Sequence, residues 1–389
     1  MRIIKSQPEL EGLCREFAAA PFVTVDTEFV RERTYWPVLC LIQIARPADD
    51  DPTAAAIIDP IDGDLDLAPF FELMANPSVV KVFHAARQDI EIFHHMSGSV
   101  PAPLFDTQIA AMVCGFGDQV GYETLVRKVA NGAVDKSSRF TDWARRPLTQ
   151  KQLTYALGDV THLRDIYQKL SEQLRRTERV GWVAEEMQVL SDPATYVTEP
   201  EEAWLKLRTR SNNPKFLAVA KILAAWREST AQDRNIPRNR VLKDDALLEI
   251  CANQPTTLEE LGRCRLVFRE NRKGEMAEGI VRSVAEALAI PAEERPKPVP
   301  QREVKNGSAA MIDLLRVLLK AKADEMSVAQ KLLASASDLE IIAADDAPDV
   351  PAMAGWRHEA FGADALRLKR GEIALAAAKG QVKIIPLDE

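Results

Sequence analysis

The first half of the chain alternates between short apolar runs and longer amphipathic stretches. Four runs rich in Val, Ile and Phe have strand length: 21–30, 37–45, 54–59 and 79–84. Apolar residues elsewhere recur at helical spacing, which predicts helices over 67–75, 85–96, 106–114, 121–130 and about 149–175. Three strands in close succession, followed by alternating helices and strands, predict an α/β domain in which helices pack on a mixed sheet.

The strand pattern ends near residue 190, and the rest of the chain has a helical pattern. A stretch with two prolines, 191–202, predicts a linker. A second stretch, 291–308, carries four prolines and few apolar residues, which predicts an extended tether. At roughly 100–200 residues per domain, a chain of 389 residues should hold two or three domains. The two breaks predict three, spanning 1–190, 200–290 and 309–389.

The two helical segments resemble each other weakly. Residues 223–250 and 314–341 have equal length and end alike, in LLEI and DLEI. This similarity fits two copies of one small helical module, although it is too thin to prove a duplication.

Composition narrows the class of protein. With 46% hydrophobic and 28% charged residues, the chain is an ordinary globular protein, and its apolar runs are shorter than the roughly 18 residues of a membrane helix. The N-terminus lacks the apolar core of a secretory signal. Five scattered cysteines without a CxxC pair argue against a disulfide framework and a thiolate zinc site, and they fit a cytoplasmic protein.

The net charge of −8 excludes nucleic-acid binding by bulk charge, so any phosphate contact needs metal ions or local basic patches. Two patches exist. Residues 127–151 hold seven basic and two acidic residues, and residues 204–240 hold nine and two. Both suit a phosphate backbone, and the alternative is an ordinary solvated helix face. In the second patch we take as candidate RNA contacts Lys221, Arg227 and Arg234.

Three segments carry candidate catalytic groups. Asp26 and Glu28 share one face of a predicted strand, about 6.7 Å apart, and repel each other unless a cation lies between them. The alternative is a strand that runs out into solvent. Asp89 falls in the first turns of a helix that follows a strand, where a carboxylate favouring the helix dipole is common. Tyr155 and Asp159 share one face of a helix with an apolar stripe, where an unpaired carboxylate is costly.

Together these segments supply four carboxylates and one phenol. Hard oxygen ligands favour Mg²⁺ or Mn²⁺ over zinc, and two such ions about 3.5–4 Å apart form the usual clamp for phosphodiester hydrolysis. Because an unperturbed phenol has a pKa of about 10, Tyr155 would orient the attacking water rather than remove its proton.

Three motifs connect these segments to a family. VDTEF (25–29), HAARQD (84–89) and YALGD (155–159) resemble the exonuclease motifs of the DEDD superfamily. A Tyr four residues before the last Asp marks the tyrosine subclass, whereas the histidine subclass would have His at the position of Thr154. The sequences over 26–45, 105–111 and 137–163 resemble the bacterial ribonuclease D family, and the helical remainder resembles its two HRDC-type domains.

The resemblance implies a ribonuclease H-like exonuclease domain followed by two small all-helical HRDC-type domains. It also implies that Asp26, Glu28 and Asp159 hold a first divalent ion, that Asp26 bridges to a second, and that Asp89 supports the second through water. Tyr155 would position the nucleophile. Further candidate substrate contacts are Thr27, Phe29 and His84. The stretch Ala86-Arg87-Gln88 varies in the family, which affects substrate contacts alone.

The implied function is a 3′→5′ exoribonuclease that needs two divalent ions, Mg²⁺ or Mn²⁺, and releases 5′-phosphomonoesters from RNA 3′ ends, including those of tRNA precursors. One alternative is a DNA 3′→5′ exonuclease, because the carboxylates do not read the sugar. Another is an inactive RNA-binding scaffold, although a scaffold has no reason to keep four costly charges together. The chain has no Gly-Lys dipeptide and hence no Walker A loop, so no nucleotide cofactor is expected. Trp143 suits either a stacked base or the core.

Overall fold

The computed structural model of the protein describes residues 1–47, 51, 53–135, 138, 141–209, 211–297 and 308–387. Its first region is built on a sheet of six strands: β1 (Arg2–Ile4), β2 (Phe22–Val30), β3 (Val38–Ala45), β4 (Ala55–Ile58), β5 (Val80–Phe83) and β6 (Leu104–Asp106). The spatial order is β1-β4-β3-β2-β5-β6. β3 runs antiparallel to both neighbours and the other pairs are parallel, so the predicted mixed sheet is confirmed.

Helices cover both faces of this sheet. They are α1 (Gln7–Phe17), α2 (Pro60–Gly63), α3 (Ala68–Ala75), α4 (Arg87–Ser97), α5 (Thr107–Val113), α6 (Tyr122–Leu125), α7 (Gln150–Arg176) and α8 (Val180–Ser191). A π-helical turn, Val126–Ala130, extends α6. One face is covered by α7, which lies across β2, β3 and β4. A capping box between Thr149 and Gln152 begins α7, because each residue's side chain satisfies a backbone N–H of the other.

The four predicted strands are present, and two others, β1 and β6, were not predicted. Each has three residues and lies at an edge of the sheet. A run of three residues is too short to show the alternation that marks a strand in a sequence. Both strands form because a neighbouring strand offers them a backbone ladder.

The predicted linker 191–202 is structured along part of its length. A 3₁₀ turn, Pro193–Tyr196, follows α8, and the hydroxyl of the buried Tyr196 donates to the carbonyl of Leu190 at 2.6 Å. A second 3₁₀ segment, Pro200–Lys206, then leads into the middle region. The predicted tether 291–308 lies largely outside the described residues, because 298–307 are not described.

The middle region is helical and has a core of its own. Its helices are α9 (Pro214–Asp233), α10 (Arg238–Val241), α11 (Asp244–Asn253), α12 (Leu258–Gly262) and α13 (Gly274–Ala289). A separate apolar cluster includes Leu223 of α9, Leu247 of α11 and Ile280 of α13. In this cluster α9, α11 and α13 bury apolar side chains against one another.

The C-terminal region holds α14 (Ser308–Met326), α15 (Gln330–Leu333), α16 (Ala336–Ala344), α17 (Gly355–Arg357), α18 (Ala363–Arg370) and a hairpin of β7 (Ile373–Ala378) and β8 (Gln381–Pro386). The hairpin corrects the expectation of an all-helical segment. Its first strand, IALAAA, is rich in Ala, which favours helices. The turn decides otherwise, since Lys379 and Gly380 both have positive φ angles, as a tight hairpin requires.

Among the described residues, no helix is both long and apolar enough to cross a membrane.

Candidate active site on the central strand

Strand β2 carries the first pair of predicted ligands at the middle of the sheet. Asp26 lies opposite Gln43 of β3, and Glu28 lies opposite Leu41. A β-bulge follows, because the next paired residue, Phe29, lies opposite Leu39. The extra residue of the bulge is Cys40 of β3, which lies next to the position where Glu28 pairs.

Helix α7 brings the third carboxylate to this strand. One ligand oxygen each from Asp26, Glu28 and Asp159 lies within 4.8 Å of the other two. Among the residues that the structure describes, this is the one group of three or more potential metal ligands with such spacing. The sequence predicted this convergence, and the packing of α7 against β2 and β3 produces it.

Asp89 lies outside that group of three and faces it from α4. Its carboxylate accepts a hydrogen bond from the hydroxyl of Thr27, and both residues are buried. This bond gives Thr27 a task that the sequence did not suggest, because its hydroxyl orients Asp89. Thr27 also lines the cleft described below.

The pKa values reflect four acidic groups in a small volume. Burial, followed by the charge of Asp159, raises the pKa of Asp26 well above its usual range. Burial and the charge of Asp26 likewise raise the pKa of Asp89. The carboxylates therefore resist ionising together, and a hard divalent cation would relieve that repulsion. A donor set made of oxygens alone, at this spacing, fits such an ion.

Tyr155 lies one helical turn before Asp159 and is hydrogen-bonded to it. Burial, then Asp159 and Glu28, raise the pKa of the Tyr155 phenol far above its ordinary value. The phenol therefore stays protonated at neutral pH and can orient a water molecule without removing its proton. Trp143 lies beside Tyr155, with ring centres 6.1 Å apart, and it is buried, so it belongs to the core rather than to a base-stacking surface.

A cleft of about 420 Å³ opens over these residues. Phe29 and His84, both predicted to contact substrate, line it. The Nδ1 atom of His84 lies 3.0 Å from the hydroxyl of Thr107, which itself donates to the carbonyl of Phe83. Burial lowers the pKa of His84, so its ring is neutral at physiological pH.

Gln88, from the stretch that the sequence analysis linked to substrate contacts, also lines the cleft. Other lining residues were missed by the sequence analysis: Gln108, Tyr122, Glu123 and Thr124. Tyr122 is the most informative, because its hydroxyl donates to the carbonyl of Gly158 at 2.9 Å and so anchors α6 to the turn of α7 that carries Asp159. No spacing rule links residue 122 to residue 158, so nothing in the sequence pointed to this contact.

Asp106 is a further residue that the sequence analysis missed. Its carboxylate accepts hydrogen bonds from the backbone N–H groups of Ala85, Ala86, Gln108 and Ile109, at 2.7–3.4 Å. Ala85 has a φ of 60°, which is unfavourable for a residue with a Cβ atom. Asp106 thus stabilises the turn that begins α4 and places Asp89. An Asp directly before an apolar helical run is an N-cap signal, and that signal was available.

Some side chains of the two basic patches are buried or paired, so they do not form the predicted RNA surface. Arg227 corrects the prediction for the second patch: it is 4% exposed, and its guanidinium donates to Asp244 at 2.6 Å and to the carbonyl of Leu242. A buried, paired guanidinium does not reach a phosphate backbone. Arg234 pairs with Glu275 at 2.6 Å at the surface, and Lys221 is half-buried on α9. Arg210 lies outside the described residues.

In the first patch, Arg146 is also structural. It donates to both carboxylate oxygens of the buried Asp59, at 2.6 and 2.8 Å, and to the carbonyl of Cys40. Lys151 lies 3.7 Å from Asp135 at the surface. Lys136 and Arg139 lie outside the described residues.

Comparison with known proteins places this site in a family. A family model described as 3′-5′ exonuclease matches residues 1–175, and a model of the HRDC domain matches residues 216–283. The ribonuclease D of Jannaschia sp. (strain CCS1) is 56% identical over 98% of both chains, and that of Nitrobacter hamburgensis is 50% identical over 98% of both. The chain belongs to the ribonuclease D family.

A solved structure supports the same conclusion for the ribonuclease D fold. The chain resembles the crystal structure of Escherichia coli RNase D, described as an exoribonuclease involved in structured RNA processing, with a TM-score of 0.82 and 29% identity. The match covers 95% of this chain and 98% of that one. This ribonuclease D family member is accordingly a 3′→5′ exoribonuclease with a mixed-sheet exonuclease domain followed by an HRDC domain.

Proposed function

We propose that this enzyme trims the 3′ ends of structured RNAs, tRNA precursors among them, with two divalent cations, Mg²⁺ or Mn²⁺. The observation that carries the proposal is the convergence of Asp26, Glu28 and Asp159 within 4.8 Å, beneath a cleft that Tyr155 also lines. When bound, two such ions would supply activation of the attacking water and stabilisation of charge on the leaving oxygen.

The residues divide between binding and positioning. Asp26, Glu28 and Asp159 would hold the first ion, and Asp26 would reach the second. Asp89 would support the second ion through water, which agrees with its place outside the group of three. The hydrogen bond from Thr27 fixes the direction of the Asp89 carboxylate for this role.

Tyr155 would act on the nucleophile without taking its proton. Its strongly raised pKa keeps the hydroxyl protonated, so it can donate to or accept from a water molecule and hold that water in line with the scissile phosphate. Phe29 and His84 lie on the wall of the cleft, where the last nucleotides of the RNA would contact them.

Two further proposals follow from the sequence analysis. Of the proposed division into 1–190, 200–290 and 309–389, the middle domain is supported by its separate core, whereas 1–190 and 309–389 share one apolar cluster. A cytoplasmic location is supported by the five cysteines, all of which are buried and unpaired.

The experiment that tests the function compares degradation of 3′-tailed RNA and 3′-tailed DNA of one sequence, in Mg²⁺, in Mn²⁺ and in EDTA. We expect stepwise 3′ shortening of RNA, release of 5′-monophosphates and no activity in EDTA. Preferential shortening of DNA would favour the DNA exonuclease, and RNA binding without shortening would favour the scaffold.

Asp159→Asn sharpens this test, because it removes one charge from the group of three and keeps the side-chain shape. We expect a loss of roughly 10²-fold or more in rate, since electrostatic stabilisation is usually the largest catalytic contribution. In the absence of metal, its melting temperature should hold or rise, because repulsion between carboxylates is relieved. Retention of more than a tenth of the wild-type rate would contradict the proposed metal site.

A further inference from the structure

Gln43 on β3 is a buried amide that the proposed reaction does not use. None of its side chain is exposed. Among the residues that the structure describes, neither its amide nitrogen Nε2 nor its amide oxygen Oε1 has a hydrogen-bond partner. Buried polar side chains in native proteins are normally satisfied by protein, ordered water or a ligand. A buried Gln43 side chain therefore calls for a polar partner near its own face of the sheet.

The sheet restricts which partner that is. Residues directly opposite each other in an antiparallel pair point to the same face, with Cβ atoms about 4.5–5.5 Å apart, and a glutamine side chain spans that separation. The neighbours of Gln43 on this face are Asp26 on β2, Ile57 on β4, and Leu41 and Ala45 on its own strand. Asp26 is the polar side chain among these four.

Helix α7 covers the same face and adds little polarity of its own. Ala156 packs against Leu41 and Ile57, and Val160 packs against Ala45. The hydroxyl of Thr24, diagonally placed from Gln43, already donates to the carbonyl of Val160 at 2.8 Å. The carboxylates that face this space are therefore Asp26 and Glu28 of β2 and Asp159 of α7, whose ligand oxygens lie within 4.8 Å of one another. Of these, Asp26 is the one directly opposite Gln43.

We propose that Gln43 is a positioning residue of the metal site, and that its Nε2–H donates a hydrogen bond to the Asp26 carboxylate, directly or through one ordered water, when the site holds its cation. The inference rests on the proposed function, since it assigns Asp26 as a metal ligand. A hydrogen bond to a ligating carboxylate fixes its orientation, and loss of such a bond typically weakens metal binding by about 10–100-fold.

Gln43→Leu tests the inference, because leucine has similar volume and no polar atoms. Two readouts are measured without RNA: Mn²⁺ affinity by titration calorimetry, and melting temperature in EDTA. We expect Mn²⁺ affinity to fall about tenfold or more. In EDTA, the melting temperature should hold or rise, because two unpartnered polar atoms leave the core. A purely structural glutamine would not separate the two readouts in this way.

Ile57→Val is the matched control, on the same face of the sheet and on the other side of Gln43. It removes one buried methylene group, so its melting temperature should fall while its Mn²⁺ affinity stays at the wild-type value. A fall in affinity in this control as large as that in Gln43→Leu would overturn the inference, because any disturbance of the face would then suffice.

The remaining outcomes separate the two proposals. Asp26→Asn is included as the ligand variant. If the wild type binds Mn²⁺, Asp26→Asn does not, and Gln43→Leu binds as the wild type does, the inference fails and the proposed function stands. If the wild type binds Mn²⁺ no better than Asp26→Asn, the proposed metal site fails. Gln43→Met serves as a second apolar variant, and failure of both apolar variants to fold would overturn the inference in favour of a structural role.

Discussion

The exonuclease domain contacts the two helical regions in different ways. Toward the middle region the contact is polar: Asn235 accepts hydrogen bonds from the backbone N–H groups of Tyr35 and Trp36 at 3.1 and 3.0 Å, and the Tyr35 hydroxyl donates to the buried Glu228. Toward the C-terminal region it is largely apolar: Trp182 and Trp356 stack with ring centres 4.3 Å apart.

The two contacts also differ in what lies behind them. The apolar cluster of the exonuclease domain continues without a break into the C-terminal region, where it includes Leu315, Leu318 and Phe361. The middle region instead keeps its own cluster. A continuous core implies that the exonuclease and C-terminal regions unfold together, whereas a polar contact between separate cores resembles a transient interface.

The polar contact involves a loop that lies next to two elements of the active site. Tyr35 and Trp36 lie in the loop that follows β2, the strand that carries Asp26 and Glu28. Trp36 also stacks on His95 of α4, with ring centres 4.0 Å apart, and α4 carries Asp89. The middle region thus braces a loop that follows β2 and packs on α4, the two elements that carry Asp26, Glu28 and Asp89. The C-terminal region contributes buried apolar area.

The largest expected effect is on the apolar contact. Trp356→Ala removes a buried ring and should lower the free energy of unfolding by roughly 3–5 kcal/mol. Urea denaturation followed by circular dichroism measures it. Val189→Ala on α8, at a position 61% exposed, is the control and should change stability by less than about 0.5 kcal/mol. A loss below about 1 kcal/mol in Trp356→Ala would show that the C-terminal region does not share the core.

The next effect is on Glu228, and it depends on pH. Burial would raise the pKa of Glu228, but hydrogen bonds from Arg238 and Tyr35 lower it overall. A carboxyl group with a lowered pKa stabilises the folded state at pH values above its pKa in the unfolded chain, which is about 4.3. This stabilisation is lost as the pH falls through the pKa of the folded state. Glu228→Gln should therefore cost roughly 1–3 kcal/mol at pH 7.

The pH dependence distinguishes the two contacts. The cost of Glu228→Gln, measured by thermal denaturation between pH 7 and pH 3.5, should shrink toward the acid end. In the apolar contact, burial raises the pKa of Glu186 despite its ion pair with Arg357. A raised carboxyl pKa gives the opposite pH dependence of the free energy of unfolding. The stabilising contribution of Glu186 is present below the unfolded pKa and is lost as the pH rises through the folded pKa. The same pH trend in Glu186→Gln and Glu228→Gln would contradict this contrast.

A smaller effect is expected at Asn235. Asn235→Ala removes the acceptor of two exposed backbone N–H groups of the loop, which water then solvates, and it should cost roughly 0.5–1.5 kcal/mol. If the middle region braces the site, the turnover rate on short oligonucleotides should fall together with stability, while the salt dependence of RNA binding stays the same. An unchanged rate on short oligonucleotides would show that the polar contact does not support catalysis.

The smallest effect is expected at Lys221 on α9, and it concerns RNA rather than stability. Lys221→Ala should reduce the slope of log K against log salt by about 1 and weaken binding of different RNAs by similar factors. Arg227→Ala is the matched comparison on the same helix. Because Arg227 is buried and paired with Asp244, Arg227→Ala should lower the melting temperature without changing the slope of log K against log salt. Equal slopes in Lys221→Ala and the wild type would show that α9 is not part of the RNA-binding surface.

The contrast between Lys221 and Arg227 shows where sequence reasoning stops. Both are basic residues of one helix and contribute equally to a count of charges. Whether a side chain faces solvent or a carboxylate depends on Asp244, which belongs to a different helix. Hydrophobic periodicity on α9 is weak because α9 is buried on several sides, so the pattern did not indicate that Arg227 is buried.

What the sequence alone determined is local. Asp26 and Glu28 share a face because strand side chains alternate, and Tyr155 and Asp159 share a face because a helix repeats every 3.6 residues. These spacings, with the order of the motifs, selected the acidic residues that the structure brings together, and the apolar runs of strand length predicted the mixed sheet.

Tertiary structure decided everything that depends on residues distant in sequence. Asp106 accepts hydrogen bonds from Ala85 and Ala86, Tyr122 anchors Gly158, and Gln43 lies opposite Asp26 because β3 pairs with β2 in one register and not another. A shift of one residue in that register would move Gln43 to the other face of the sheet. Such contacts arise from packing many weak interactions at once, and no spacing along the chain encodes them.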